Sequence, residues 1–188
     1  VDLCHQNGIA VILDVALNHA FGRNPMVRMW MNDADGDGWG SPSTENPYFN
    51  TTAMHSYSVG EDFNHQQART QNYVKRVIKQ WIEEYKIDGL RWDLTKGFTQ
   101  NCPSGVTGGQ DACTNVKQQD RVDVLKAYAD YSWSLDPTHY AIFEHLGNDD
   151  EEQLWANYRI AEAPSKGIMM WGKMTNQYNE LSMGYPGN

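Results

Sequence analysis

Three charged residues stand at the ends of short apolar segments, where a packed core would not place a charge. Arg91 and Asp93 end one such segment, and Glu144 ends another. Residues two apart on a β-strand point to the same face, so Arg91 and Asp93 are expected to lie together. Two carboxyl groups across a cleft are what glycoside hydrolysis needs, one as nucleophile and one as proton donor. In that chemistry Arg91 would keep Asp93 ionised, while Glu144, in a less charged setting, would stay protonated near neutral pH.

The alternative interpretation of Arg91 and Asp93 is a buried ion pair that only fixes the interior of the fold. Polar residues at the end of an earlier segment, Asp14, Asn18 and His19, favour the catalytic interpretation. The carboxyl ends of strands are where the active sites of α/β proteins collect.

The apolar segments that carry these residues predict β-strands at Ile9–Val15, Ile87–Asp93 and His139–Glu144. The first is a continuous apolar run, so it is expected to be a buried strand of a parallel sheet. Ile168–Trp171 is a candidate for a fourth strand.

Helical patterns separate the strands. From Gln66 onward, apolar residues between Val74 and Tyr85 recur at helical spacing on one face. A second helix is predicted at Arg121–Leu135, and a third opens at Asp149, where acidic residues suit a helix N-terminus. The alternation predicts a parallel sheet with helical crossovers, either doubly wound or closed as a barrel.

The stretch from Asn18 to about His65 has a different texture, rich in Gly, Pro, Asn, Asp and Ser and without a sustained period. A structureless loop of this length is unusual inside a compact domain, so a separate subdomain is expected. Further along, Cys102 and Cys113 bracket a Gly-rich polar stretch and are candidates for a disulfide, which favours an extracellular setting. Cys4 is expected to be a small buried residue.

The formal charge of −9, from 24 acidic and 15 basic residues, disfavours nucleic acid and anionic membranes as partners. No apolar run approaches the ~20 residues that span a bilayer. The chain begins at Val1 without Met and reads as the end of a helix closed by Gly8. We therefore expect it to begin within a domain.

Two weaker metal signals remain. Asp33, Asp35 and Asp37 resemble the start of a calcium loop, although position twelve is Thr44 rather than Glu, and a Gly/Asp turn is the alternative. The remaining histidines lack zinc-ligand spacing and are expected at surface or loop positions. They are His5, His55, His65 and His139.

Four segments, in order, resemble the signatures of the α-amylase family of glycoside hydrolases. Asp14–His19 is similar to its Asp-x-x-x-Asn-His motif at barrel strand three, and Gly89–Lys96 resembles Gly-x-Arg-x-Asp-x-x-Lys at strand four. Ala141–Glu144 resembles the strand-five signature. Glu61–Asn64 is similar to the short signature of the family's B subdomain.

The resemblance implies a role for each matching residue. Asp93 would be the nucleophile that forms a covalent glycosyl-enzyme, and Glu144 the general acid/base. Arg91 would orient and ionise Asp93. His19 would hydrogen-bond the sugar in the cleaved subsite, and Asp14 would help to position the site.

Further roles follow from the same resemblance. Lys96 would contact sugar on the leaving-group side. Asn18 and Asp62 would bind a structural calcium ion, with Gly97 offering its carbonyl oxygen. The family often has His where Gly97 stands. It commonly has Val or Ala where His145 stands, so the polarity beside the general acid Glu144 is expected to differ.

The resemblance also implies the fold: an α/β architecture forming a partial TIM-type (β/α)8 barrel, about strands three to six. Residues 1–19 and 66–188 would be barrel segments, and residues 20–65 the B-subdomain insertion. The family's fourth signature, a His-Asp pair that supplies a third carboxylate, is absent after Glu144. A barrel takes ~250 residues, so this chain is expected to hold about half of one.

The expected function is retaining hydrolysis of α-1,4-glucosidic bonds in starch-like glucans, by an α-amylase. The alternatives are a neopullulanase, an α-glucosidase or a glucan transferase, or an inactive fragment that only binds carbohydrate or calcium. The expected partner is an α-glucan polysaccharide or oligosaccharide, with no nucleic acid, membrane or obligate protein partner. A secreted protein, extracellular or periplasmic, is expected.

Overall fold

The computed structural model describes residues 1–172, 178 and 182–184. Its strands are β1 Ile12–Val15, β2 His19–Ala20, β3 Glu61–Asp62, β4 Gly89–Trp92, β5 Tyr140–Phe143 and β6 Met169–Met170. Its helices are α1 Asp2–Gln6, α2 Pro25–Arg28, α3 Ala68–Glu83, α4 Gln110–Asn115, α5 Gln119–Leu135 and α6 Asp149–Asn157. A short 3₁₀ helix lies at Thr95–Phe98.

The main sheet has four strands in the order β1-β4-β5-β6, and every neighbouring pair is parallel. Helix α3 lies between β1 and β4 in the chain, α5 between β4 and β5, and α6 between β5 and β6. The predicted alternation of strands and helices is therefore confirmed. All carboxyl ends of these strands meet at one edge of the sheet, because the strands run the same way.

Helix α3 shows why the periodic segments were predictable. Val74, Ile78 and Ile82 are four residues apart and buried, so they form one stripe that packs on the sheet. Helix α5 covers the neighbouring part of the sheet with Leu125 and Tyr128, both buried. Burying one such aliphatic side chain contributes about 1.5–3 kcal/mol, which fixes the helices above the strands.

The first predicted strand is wrong in length and burial. Strand β1 begins at Ile12, and Ile9 and Ile12 are 57% and 39% exposed. Within the described residues β1 is an edge strand with β4 as its hydrogen-bonded neighbour, so one side of it has no covering strand. Cys4 is only partly buried, whereas a buried residue was expected. It lies on helix α1, none of whose residues is buried.

A two-stranded antiparallel sheet joins the two ends of the irregular stretch. His19 on β2 pairs with Asp62 on β3, which brings the start and end of this excursion together. Between them lies a small apolar cluster of Val27, Phe49 and Phe63. The division into segments 1–19, 20–65 and 66–188 stays a prediction. The last segment extends into residues 173–177, 179–181 and 185–188, which lie outside the described ones.

The predicted disulfide between Cys102 and Cys113 is present, with Cα atoms 5.6 Å apart. It spans a loop that also holds helix α4, which the Gly-rich sequence did not indicate. Gly109 has a φ of 93° before this helix, a conformation that suits glycine. Among the described residues, no helix is long and apolar enough to cross a membrane.

Candidate active site

Arg91 is the centre of the charged cluster at the carboxyl edge of the sheet. Its guanidinium donates to Asp14 Oδ1 and Asp93 Oδ1, each at 2.9 Å. It also lies 3.1 Å from Glu144 Oε2. The strand register explains the meeting, because Asp14 pairs directly with Arg91 across β1 and β4, and Glu144 follows β5 on the other side.

The guanidinium of Arg91 stays protonated. Burial lowers its pKa, but hydrogen bonds and charge from Asp14, Glu144 and Asp93 outweigh burial and raise the pKa above its ordinary value. A permanently cationic fork between three carboxylates can orient more than one of them at once. Its side chain is 13% exposed and Asp93 29%, so the cluster still meets solvent.

Glu144 is held from two sides. Its backbone N–H donates to Trp92 O at 3.0 Å, and its Oε2 accepts the N–H of Leu94 at 3.2 Å. Leu94 has a φ of 45°, an unfavourable left-handed conformation for leucine, which follows Asp93 directly. The expectation of a less charged setting for Glu144 is wrong, because adjacent parallel strands bring Arg91 within ion-pair distance.

His19 lies on β2, near the same edge. Burial lowers the pKa of His19 and outweighs the opposite effect of Asp93, which favours a neutral ring at neutral pH. Its Nδ1 is buried without a hydrogen-bond partner among the described residues. Because Nδ1 is enclosed, the expected contact with a sugar hydroxyl would have to use Nε2 of the neutral ring.

Lys96 lies on the wall of a cavity of about 690 Å³ that Glu144 also lines. Its ammonium donates to Asn115 Oδ1 and Leu146 O, both at 2.9 Å, and lies 4.2 Å from the ring centroid of Tyr57. Lys96 is only 7% exposed, so a sugar would meet an ammonium that is already held in place. Tyr57 lies in the irregular stretch, and nothing in the sequence pointed to Asn115.

A buried network lies behind Glu144, and sequence reasoning missed it. Arg121 and Glu151 are fully buried, and the Nη2–Oε2 distance is 2.6 Å. His145 Nε2 is 3.4 Å from Glu151, and its Nδ1 is 3.0 Å from the hydroxyl of Thr95. The N–H of Thr95 in turn donates to Glu144 O at 2.9 Å. The network therefore fixes the backbone on both sides of the acid.

The residues expected to bind calcium do converge. Asn18 and Asp62 are buried, and Oδ1 of each has no hydrogen-bond partner among the described residues. Gly97 packs against the same place, since an added Cβ would lie 2.5 Å from Asn18 Nδ2. Two unpaired buried oxygen atoms suit a bound cation.

The four unassigned histidines do lie at surface or loop positions as expected, but the three in loops are buried, which the sequence did not indicate. His55, His65 and His139 are buried, whereas His5 is 37% exposed at its side chain. His65 is buried because its ring nitrogens reach Leu17 O at 2.9 Å and Tyr128 Oη at 3.0 Å. His55 lies beside Asn18 and Asp62.

The three aspartates of the excursion do meet. Oxygen atoms of Asp33, Asp35 and Asp37 lie within 4.8 Å of one another. The two oxygens of Asp33 also accept the N–H groups of Gly36 and Gly38, at 2.9 and 3.0 Å. These bonds are those of a tight Gly/Asp turn, and a calcium role stays a prediction.

A parallel sheet with helical crossovers and polar strand ends is the architecture of an α/β barrel in part. The α-amylase of Geobacillus thermoleovorans, solved in complex with acarbose, shares this fold with a TM-score of 0.52 at 17% identity. The match covers 82% of this chain and 29% of that one. A second solved structure, Amy13B of Eubacterium rectale, gives a TM-score of 0.51, also at 17% identity, over 83% of this chain and 29% of that one. The expected fold class is confirmed.

No protein-family model matches the chain. The glycogen debranching enzyme of an Enterobacter species is 31% identical over 121 residues, covering 55% of this chain and 16% of that protein. The pullulanase of Bacillus subtilis is 28% identical over 99 residues, covering 50% and 12%. The chain spans 12% to 17% of the length of these and a similar maltogenic α-amylase of Bacillus acidopullulyticus. With the fold, they confirm the resemblance to the α-amylase family over part of its members' length.

Proposed function

We propose that this chain carries part of the active site of a retaining α-glucan hydrolase. The observation that supports the proposal is the position of Arg91, which holds Asp93 and Glu144 together at the ends of adjacent strands. Asp93 is the nucleophile and Glu144 the general acid/base of this proposal. The names of the relatives, a debranching enzyme, a pullulanase and an amylase, point to α-glucans.

The reaction would proceed in two displacements. In the first, Glu144 gives its proton to the glycosidic oxygen while Asp93 Oδ attacks the anomeric carbon, so the C–O bond to the leaving sugar breaks. In the second, Glu144 removes a proton from water, the water oxygen attacks the same carbon, and Asp93 leaves as a carboxylate. Two inversions give net retention of configuration.

The contact between Arg91 and Glu144 has a consequence for the first step. Glu144 acts as the acid only when it carries a proton, and a protonated carboxyl no longer forms an ion pair. Arg91 would then bind only Asp14 and Asp93, which is the distribution that keeps the nucleophile ionised. The hydrogen bond from the Leu94 N–H to Glu144 Oε2 would still hold this carboxyl group in position.

On the leaving-group side, the cavity beside Glu144 offers room for further sugar units. Tyr57 presents a ring that is 48% exposed, and sugars stack on such rings. We propose a starch-like α-1,4-glucan as substrate, which would make the activity that of an α-amylase. Debranching is the second candidate, because the matched relatives include a pullulanase and a glycogen debranching enzyme.

The remaining expectations are carried here as proposals. Asn18, Asp62 and Gly97 would hold a structural calcium ion, which takes no part in the chemical steps. A secreted location is proposed from the Cys102–Cys113 disulfide, since such bonds persist in oxidising compartments.

The experiment uses the natural protein that contains this sequence. Asp93→Asn and Glu144→Gln should each lower kcat on amylose by at least about a thousandfold, while Asp123→Asn, an exposed change on α5, should not. Full activity of Asp93→Asn would refute the nucleophile. Products from amylose and pullulan separate the candidates, because cleavage of pullulan with little action on amylose would favour debranching.

A further inference from the structure

Three neighbouring strands of the main sheet continue into residues whose backbone N–H groups are held in the same way. Each N–H donates to the carbonyl oxygen of the last residue of the adjacent strand. The donor and acceptor residues are Asp93 and Val15 at 3.1 Å, Glu144 and Trp92 at 3.0 Å, and Trp171 and Phe143 at 2.8 Å. Trp171, which follows β6, is therefore the counterpart of the two carboxylates that follow β4 and β5.

The strand register places the side chains of Asp93, Glu144 and Trp171 in one row. The last residues of β4, β5 and β6 are aligned with one another across the sheet, and these three residues come directly after them. Residues aligned across parallel strands point to the same face, because successive side chains alternate between the two faces. The indole of Trp171 thus stands on the same face, and at the same edge, as the proposed nucleophile and acid/base.

A side-chain contact agrees with this register. The guanidinium carbon of Arg91 lies 5.2 Å from the ring centroid of Trp171. Arg91 also reaches Asp93 Oδ1 at 2.9 Å and Glu144 Oε2 at 3.1 Å. A cation within about 6 Å of an indole centroid is attracted to the π face of the ring. The ring therefore lies beside the group that orients both carboxylates.

The hydrophobic core of the described residues does not use the indole of Trp171. Its neighbour Met170 packs against the cluster between the sheet and its helices, whereas Trp171 is not a member of that cluster. Trp171 is 54% exposed, so its contact with Arg91 leaves part of the ring free. An aromatic ring that is open beside two proposed catalytic carboxylates is available to a ligand.

We propose that Trp171 is a substrate-contact residue whose indole packs against the C–H face of a sugar unit next to the cleaved bond. A pyranose ring presents an apolar face of C–H groups, and the π face of an aromatic ring carries the partial negative charge that attracts them. The inference rests on the proposed glycosidase function and deepens it, because it adds a residue that holds the substrate to those that carry the chemistry.

The position of Trp171 predicts how its loss depends on the length of the substrate. The ring lies in the row of the two carboxylates, so a short substrate meets it as well as a long one. Lys96 lies instead in the cavity beside Glu144, which further sugar units would occupy. Removing the indole should therefore weaken short and long maltooligosaccharides by the same factor.

The test uses the natural protein containing this sequence, in the variant Glu144→Gln, so that maltotetraose and maltoheptaose bind without being cleaved. Adding Trp171→Ala should weaken the binding of both sugars at least about tenfold in calorimetry, because the apolar contact is lost. Trp171→Phe keeps a flat ring and should weaken binding less than about threefold. Unchanged binding with Trp171→Ala would overturn the inference. A lower kcat with unchanged binding would also overturn it, since the ring would then act through Arg91 alone.

Tyr85→Ala is the matched control, because Tyr85 is an aromatic residue that is 51% exposed and lies between α3 and β4, at the opposite edge of the sheet. It should leave binding unchanged. The wild type separates two kinds of failure. If it neither binds nor cleaves any α-glucan, the proposed function and this inference are refuted together. If it cleaves α-glucans and Trp171→Ala does so equally well, the inference alone is refuted.

A second measurement applies if Trp171→Ala does not fold. Glu144→Gln would be labelled with fluorotryptophan and followed by fluorine NMR, with Trp171→Phe identifying the resonance of Trp171. That resonance should shift when maltotetraose is added. A resonance that stays in place at saturating sugar would contradict the proposal.

Discussion

The buried pair of Arg121 and Glu151 allows a stability prediction with a stated magnitude. Arg121 donates to Glu151 and to three carbonyl oxygens, those of Lys96, Thr114 and Val116, at 2.7 to 2.8 Å. Glu151→Gln removes the negative charge and leaves the guanidinium in the interior. Breaking a buried pair from one side costs about 3–5 kcal/mol of the free energy of unfolding.

The pKa of Glu151 gives a second route to the same magnitude. Burial alone would raise this pKa, but hydrogen bonds and charge from His145 and Arg121 outweigh burial and lower it from 4.5 to about 2. A difference of this size between folded and unfolded states corresponds to about 3 kcal/mol. Because the folded pKa is depressed, the contribution is present above pH 4.5 and is lost as the pH falls toward 2.

The assay is urea unfolding of the wild type and of Glu151→Gln at pH 7 and at pH 3. The variant should be less stable by about 3–5 kcal/mol at pH 7. The gap should narrow at pH 3, because Glu151 of the unfolded wild type is then protonated while the folded carboxylate is still mostly ionised. Asp150→Asn, an exposed neighbour on α6, is the matched control and should cost less than about 1 kcal/mol. A loss of under 1 kcal/mol for Glu151→Gln would refute the reasoning.

Three further predictions concern the site. Arg91→Lys should lower kcat/KM on amylose by at least about a hundredfold, because one ammonium cannot replace the fork that reaches three carboxylates; near-normal activity would contradict this. Gly97→Ala should destabilise the protein by about 1–3 kcal/mol in thermal unfolding, because the new Cβ would overlap Asn18 and His55. An unchanged unfolding midpoint would contradict this, since it would mean that Asn18 and His55 move aside without cost. Asn115→Ala should release Lys96 and raise KM for long maltooligosaccharides more than for short ones, and equal changes for both would argue against a leaving-group role.

The sequence predicted the elements whose signal is local. Helix α3 followed from apolar residues four apart, and strand β5 from a short apolar run before Glu144. The positions of Arg91, Asp93 and Glu144 at one edge followed from the rule that parallel strands end together. The order of strands and helices along the chain was enough to predict that these residues lie at the same edge of the sheet.

What the sequence did not reveal depends on contacts between distant residues. Glu151 meets Arg121 across thirty positions, and neither stands in a pattern that marks it as buried. The burial of His55 was also missed, because its partners Asn18 and Asp62 lie 37 positions before and roughly seven after it. The exposure of Ile12 depends on which strands flank β1, a property of the sheet rather than of the segment.

The role of Asp93 as nucleophile is the central claim, and trapping the covalent intermediate tests it most directly. The natural protein would be incubated with a 5-fluoro maltosyl fluoride, which slows the second displacement, and the labelled peptide would be identified by mass spectrometry. The account predicts one sugar per active site, bound to Asp93 and absent in Asp93→Asn. A label on another carboxylate, or the label persisting in Asp93→Asn, would contradict it.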